Sequence, residues 1–201
     1  MNQYKEDINR LKQYADINDV PIMQDEGIDF LIDFILKNNI KSVLEIGSAI
    51  GYSAIMMAIA NPSLKITTIE RDQTRYLEAV KNVKSFDLED RITLVFNDAL
   101  DANIEGKFDL IFIDAAKGQN IKFFEKYELN LAEGGYIITD NMNFHGLVDK
   151  ELEEIESRNL RQLIRKIKDY RNYLDTRSDY DIKILNVGDG IAIARKKNVE
   201  E

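Results

Sequence analysis

Hydrophobic positions change their spacing near residue 41 of this chain. Before that point Tyr4, Ile8, Leu11 and Tyr14 recur at helical intervals, which predicts an amphipathic helix within residues 2–17. Pro21 interrupts the pattern. Ile28, Leu31, Ile32, Ile35 and Leu36 then form the i, i+3, i+4, i+7, i+8 stripe of a helix packed on a core. The turn between, Ile22-Met23-Gln24-Asp25, reads equally as a plain cap or as a lid over a ligand. From Lys41 onward short apolar runs alternate with helical patterns. Strands are expected at Ser42–Ile46, Lys65–Ile69, Ile92–Phe96, Leu110–Asp114 and Gly135–Asp140. Helices are expected at Tyr52–Ala60, stopped by Asn61-Pro62, at Asp72–Ser85 and at Asn120–Leu131. The chain closes with Asp181–Leu185 and Gly190–Arg195 around Asn186-Val187-Gly188-Asp189, the pattern of an antiparallel hairpin. These elements predict an α/β fold: a doubly wound seven-stranded sheet, mostly parallel with right-handed crossovers, ending in a C-terminal antiparallel hairpin.

Composition narrows the class. A chain of 201 residues fits one domain, and 44% hydrophobic residues is ordinary for a soluble globular protein. No apolar run approaches the roughly 20 residues a membrane span needs, so no membrane partner is expected. The polar start, Met1-Asn2-Gln3-Tyr4-Lys5-Glu6-Asp7, does not read as a signal peptide. The absence of cysteine excludes disulfides and thiolate chemistry and fits a cytoplasmic location. A net charge of −9 argues against a protein that coats nucleic acid by bulk electrostatics, while leaving a local basic face open.

Candidate chemistry begins at Val43-Leu44-Glu45-Ile46-Gly47-Ser48-Ala49-Ile50-Gly51-Tyr52-Ser53: a buried strand ending in an acid, a glycine turn and a helix start. Gly47 and Gly51 permit a tight turn and a close approach of a ligand to the main chain. The spacing is Gly-x-x-x-Gly, not the Gly-x-Gly-x-x-Gly of a dinucleotide cradle, and no Gly-Lys-Ser/Thr follows, so a Walker loop is excluded. An acid before the loop suits a cationic or hydroxyl-rich ligand, which points to S-adenosylmethionine. In a parallel sheet the strand carboxyl ends share an edge, and here those ends carry Glu45, Glu70, Asp98, Asp114 and Asp140-Asn141. Glu70 stands where an acid takes ribose hydroxyls, and Asn97-Asp98-Ala99 where an adenine amino group is read. Asp114, Asp140 and Asn141 offer hard oxygen ligands suited to Mg²⁺, whereas zinc ligands are missing. The alternative is that Asp114 caps a helix and Asp140-Asn141 is a turn. Lys117, three residues after Asp114, is either a solvated lysine or, beside a divalent cation that lowers its pKa, a general base.

These residues resemble the metal-dependent O-methyltransferases that include the catechol and caffeoyl-CoA enzymes. The resemblance runs from about Pro21 to Lys196. It rests on Leu44-Glu45-Ile46-Gly47 with Gly51-Tyr52-Ser53, Phe108-Asp109-Leu110-Ile111-Phe112-Ile113-Asp114-Ala115-Ala116-Lys117, Gly134-Gly135 with Asp140-Asn141, and Val187-Gly188-Asp189-Gly190. It implies a single Rossmann-like methyltransferase domain over residues 1–201, with helices of residues 1–40 as a lid on the cofactor site and residues 41–201 as the core. It implies S-adenosylmethionine held by Ile22, Met23, Glu45, Gly47, Ser53, Glu70, Asp98, Ala99 and Asp114. It further implies Mg²⁺ on Asp114, Asp140 and Asn141, Lys117 as base with Asp114 beside it, and a homodimer. In such sites two vicinal substrate oxygens chelate the metal and one attacks the methyl group in line.

Catechols supply two vicinal oxygens, and so does 5-hydroxyuridine. The helical pattern after Ser157 places Leu160, Leu163, Ile164, Ile167 and Leu174 on one face and Arg158, Arg161, Arg165 and Lys168 on an adjoining stripe. That stripe is either a phosphate-binding surface or a solvated face paired with Glu151, Glu153, Glu154 and Glu156. The Glu-Ser-Arg-Asn-x-Arg run at 156–161 and the strand Ile182-Lys183-Ile184-Leu185 are similar to the bacterial branch that methylates tRNA 5-hydroxyuridine to 5-methoxyuridine. The resemblance thus implies the tRNA anticodon loop as partner, with a small catechol as the alternative. Met142-Asn143-Phe144-His145 departs from the more apolar loop of relatives, and His145 is read as a rim or surface residue.

Overall fold

The computed structural model describes residues 4–115 and 117–197, with Lys117 placed by its backbone alone. Seven strands form one sheet in the order Ile92–Phe96, Lys65–Glu70, Ser42–Ile46, Phe108–Ile113, Leu131–Thr139, Ile191–Lys196 and Tyr180–Leu185, and the chain divides into two compact units, Met1–Asn103 and Ile104–Glu201. The doubly wound architecture with its antiparallel hairpin is the one expected from the alternation of patterns.

The first unit holds α1 (Lys5–Ile17), α2 (Asp25–Lys37), β1 (Ser42–Ile46), α3 (Tyr52–Ala60), β2 (Lys65–Glu70), α4 (Gln73–Ser85) and β3 (Ile92–Phe96). β2 pairs in parallel with both β1 and β3. Strands covered on both faces need continuous apolar character, and Val43, Leu44 and Ile46 are wholly buried. α3 is apolar all round and buries residues 52–58 without a break, as a helix inside a core must. Ile28, Leu31 and Ile35 of α2 are buried as the stripe predicts, but Leu36 is 50% exposed. Eight residues at about 100° each carry Leu36 roughly 80° away from Ile28, so it falls on the rim of that face. α4 starts where Asp72 accepts the Arg75 N–H at 2.9 Å, an N-cap.

The second unit holds β4 (Phe108–Ile113), a 3₁₀ turn at Lys117–Gln119, α5 (Asn120–Tyr127), a 3₁₀ turn at Glu128–Asn130, β5 (Leu131–Thr139), a third at Leu152–Glu154, α6 (Arg158–Thr176), β6 (Tyr180–Leu185) and β7 (Ile191–Lys196). The expected helix Asn120–Leu131 is thus too long, and the strand expected at Gly135 begins four residues earlier. The Asn130 amide donates to the carbonyls of Ile104 at 2.8 Å and Gly106 at 3.1 Å, drawing the chain out of the helix. Gly134 takes φ +67° and Gly135 packs so closely that a Cβ would lie 2.9 Å from the Ala132 carbonyl oxygen. The Gly-Gly pair is therefore an irregularity inside β5, whose register on β4 shifts between Phe108 and Leu110.

α6 joins the second unit through two clusters. Ile164 and Ile167 pack with Val148 and Ile155. Further along, the Arg177 guanidinium lies 4.9 Å from the ring centres of both Phe124 and Tyr180 and 5.6 Å from that of Tyr173. It also bridges Glu128 at 2.5 Å and Asp179 at 2.6 Å. Bonding to Arg177 holds the Asp179 carboxyl below its usual value, and burial pushes the Tyr170 and Tyr180 phenols well above theirs.

Candidate functional site

In the first unit the site is a loop held by two carboxylates. Gly47 (φ +98°), Ala49 (+45°) and Gly51 (+84°) all take left-handed conformations, so the segment from β1 to α3 is a chain of tight reversals. The N–H groups of Gly47 and Ser48 donate to the Ile69 carbonyl at 2.9 and 3.2 Å, drawing the loop onto the end of β2. Glu70, 8% exposed, completes that link. One of its oxygens accepts the Ala49 N–H at 2.8 Å, and the other accepts the Arg71 and Asp72 N–H groups at 2.9 and 2.8 Å. Arg71 reaches Asp98 at 3.2 Å, and Asp98 also accepts the Leu100 N–H at 2.9 Å, so the ends of β2 and β3 are tied together. Ala99 is buried beside it.

Glu45, expected among the residues that hold the cofactor, is bonded within the fold. It is fully buried, and its two oxygens accept the hydroxyls of Ser53 and Thr68, each at 2.5 Å. It therefore fixes the start of α3 to β1 and β2. Thr68 was missed in the sequence; it is the cross-strand register partner of Glu45, so a polar residue in an apolar strand was the signal. Ile22 and Met23 lie between α1 and α2, Ile22 half-buried and Met23 buried. Within the loop, Ser48 Oγ is buried with no hydrogen-bond partner among the described residues. An orphaned hydroxyl in a glycine loop, beside carboxylates at successive strand ends, fits a ligand rich in hydroxyl and amino groups such as S-adenosylmethionine.

In the second unit the parallel register Ile113↔Thr139 sets Asp114 and Asp140 side by side, and the Asp140 N–H donates to the Ile113 carbonyl at 3.1 Å. Asn141 follows with φ +63°, an uncommon conformation that aims its amide back between the two acids. That amide donates to Asp140 at 2.8 Å and to Asp114 at 3.3 Å. Two carboxylates thus face a common point across one NH₂ group. Rotation of the amide presents its oxygen there instead, giving three hard oxygens, a set that fits Mg²⁺ with water completing the octahedron. Among the described residues no group of three or more His, Cys, Asp or Glu side chains gathers as a metal cluster. The Lys117 backbone lies in the 3₁₀ turn after Asp114; its side chain, like Ala116, lies outside the described residues.

The basic stripe forms on one continuous helix, α6, but its members differ. Arg158 and Arg165 are exposed. Lys168 donates to the Lys150 carbonyl at 2.8 Å, and Arg161 is half-buried with its Nε shielded and unpartnered among the described residues. No ion pair among the described residues joins the stripe to Glu151, Glu153, Glu154 or Glu156. His145 is exposed on the loop after Asn141, in line with the rim or surface residue expected.

Residues 2–197 match the O-methyltransferase family, and the chain belongs to it. Among solved structures, a putative caffeoyl-CoA O-methyltransferase from Staphylococcus aureus superposes with a TM-score of 0.90 at 37% identity, covering 98% of this chain and 96% of that one. A caffeoyl-CoA O-methyltransferase from Populus kitakamiensis is 28% identical over 193 residues, covering 92% of this chain and 82% of its own length. An O-methyltransferase from Bacillus cereus, solved in complex with SAH, shares the fold at a TM-score of 0.82 and 24% identity, covering 94% of this chain and 90% of that one. No helix among the described residues is long and apolar enough to cross a membrane.

Proposed function

We propose that this protein is an S-adenosylmethionine- and Mg²⁺-dependent O-methyltransferase whose acceptor is the 5-hydroxyl of 5-hydroxyuridine at the tRNA wobble position. The observation that carries the catalytic part is the meeting of Asp114, Asp140 and Asn141 over a single amide. Bound S-adenosylmethionine supplies an electrophilic methyl group, and a divalent cation supplies positive charge that favours an ionised acceptor oxygen. The chain's own residues have separable tasks. Glu70 and Asp98 take the polar groups of the cofactor, and Glu45 holds the glycine loop that lies against it. Asp114, Asp140 and Asn141 hold the cation, and Lys117 accepts the acceptor's proton.

The exposed Arg158 and Arg165, unpaired with the neighbouring glutamates, support a polyanionic acceptor. The caffeoyl-CoA O-methyltransferases among the relatives favour a second reading, a small catechol-type acceptor. Nucleoside mass spectrometry on tRNA carrying 5-hydroxyuridine, incubated with the protein, S-adenosylmethionine and Mg²⁺, separates the two when a catechol reaction is run in parallel. A one-methyl mass gain on the hydroxyuridine, abolished by chelator, is expected. Transfer to the catechol alone replaces the tRNA with the small acceptor.

A further inference from the structure

The loop after Asp140-Asn141 is held in a conformation that few residues adopt readily. Phe144, His145 and Gly146 follow one another at φ +42°, +55° and +73°, a left-handed run in which two members carry side chains. Its surroundings impose it. The N–H groups of Met142 and Asn143 donate to the carbonyls of Gly190 and Asp189 at 2.9 and 2.8 Å. Arg171 donates to the Met142 carbonyl at 2.7 Å and to the Asn143 side-chain oxygen at 2.5 Å. Gly190 presses so close that a Cβ would sit 2.6 Å from Asn143 Cγ.

The outcome of these restraints is where His145 lies. Its N–H donates to Asp189 Oδ1, and its Nδ1 is 3.7 Å from the same oxygen, while its side chain stays 67% exposed. Asp189 is only 8% exposed, and its Oδ2 is buried with no hydrogen-bond partner among the described residues. A buried carboxylate oxygen left without a partner is costly, and a small swing of the imidazole brings Nδ1–H to that carboxylate. The imidazole is then fixed as the Nδ1–H tautomer with the Nε2 lone pair turned outward.

We propose that His145 is a specificity-determining contact for the acceptor, its Nε2 accepting a hydrogen bond from an N–H on the carbonyl side of the vicinal oxygen pair, with Asp189 as the residue that positions it. This rests on the reading of the site as that of an O-methyltransferase acting on 5-hydroxyuridine. The imide N–H of a 5-hydroxypyrimidine adjoins the carbonyl of its vicinal oxygen pair. A plain catechol offers no such donor.

His145 is the chain's single histidine, so its ring nitrogens are read without assignment ambiguity by ¹⁵N NMR. With no acceptor present, the neutral imidazole is expected as the Nδ1–H tautomer in the wild type and no longer predominantly so in Asp189→Asn. A wild type already in the Nε2–H form overturns the positioning role. The second arm compares kcat/KM for 5-hydroxyuridine and its N3-methyl derivative within the same anticodon stem-loop. The wild type is expected to prefer the free imide by about tenfold, roughly the value of one hydrogen bond, and His145→Ala and His145→Gln to lose most of that preference through KM. Binding of S-adenosylhomocysteine by both variants shows that they are folded. An unchanged preference in both variants overturns the contact. A wild type that methylates catechol and neither pyrimidine fails the tRNA reading itself and takes the imide contact with it, while the ring spectra still decide the Asp189 half alone.

Discussion

The two units use their carboxylates in opposite ways. In the first, Glu45 and Glu70 are buried and hydrogen-bonded to hydroxyls and backbone N–H groups that belong to the fold. In the second, Asp114 and Asp140 face each other across one side-chain amide, which can rotate away. An acid bonded to backbone donors shapes a loop, and removing it unravels structure. Two acids brought together over a movable amide gather charge that a cation relieves, and removing one should spare structure and end chemistry.

The largest expected effect breaks the second unit's set. Asp140→Ala should lower methyl transfer by about 10³-fold or more, the several kcal/mol a catalytic cation contributes, and should abolish the residual response to Mg²⁺. Titration calorimetry with S-adenosylhomocysteine should still show binding. A variant that turns over at the wild-type rate, chelated or not, would remove the cation from the proposal.

The matching change in the first unit should act on stability instead. Glu45→Ala leaves the buried hydroxyls of Ser53 and Thr68 without their acceptor and opens a cavity under the loop, at a cost of about 2–4 kcal/mol. Urea unfolding should show this as a lower midpoint at unchanged slope. If Glu45→Ala unfolds like the wild type but loses cofactor, Glu45 is a ligand contact and the contrast between the units fails.

Much of this contrast was hidden in the sequence for identifiable reasons. Where a local signal is strong the elements were legible: α3 spans Tyr52–Ala60 as expected, because Gly51 opens it and Asn61-Pro62 ends it. The acids were legible from their places within two residues of a strand's carboxyl end, Glu45 just before the end of β1 and Asp98 just past that of β3. Their separate roles were not, because a strand pattern gives an acid's position and says nothing of the donors that fold back on it. Ala49 meets Glu70 across 21 residues, and Thr68 meets Glu45 across 23. The Gly134-Gly135 irregularity was misread as a strand start because a glycine pair signals a turn and a bulge alike. The cluster around Arg177 draws on Phe124, Glu128, Tyr173 and Tyr180, and only Tyr173 and Tyr180 are near it in sequence, while Phe124 and Glu128 come from about 50 residues earlier in the chain.

The stripe on α6 sharpens the comparison from outside the carboxylates. Arg158→Glu combined with Arg165→Glu should weaken tRNA binding about 10–100-fold at low salt and reduce the slope of log K against log salt by about 1.5–2. Filter binding across a salt series measures both quantities. Catechol turnover by the same variant is the internal control, and an equal loss there would mean that the substitutions disturb α6.

The smallest effect concerns a carboxylate of the second unit that is purely structural. Asp179 is half-exposed and bonded to Arg177, which depresses its carboxyl in the folded state. A depressed folded value means that the contribution is present above the unfolded value of about 3.9 and is lost as pH falls through the lower folded value. Asp179→Asn should therefore destabilise the protein at pH 7 by only about 0.2–1 kcal/mol, the range for exposed pairs. The difference from wild type should shrink below pH 4 and vanish once the wild-type carboxyl is protonated. Paired urea titrations at pH 7, 4 and 2.5 test this. A difference that stays constant from pH 7 to pH 2.5 would mean that Arg177 is held by Glu128 and the three rings, and that Asp179 contributes no attraction of its own.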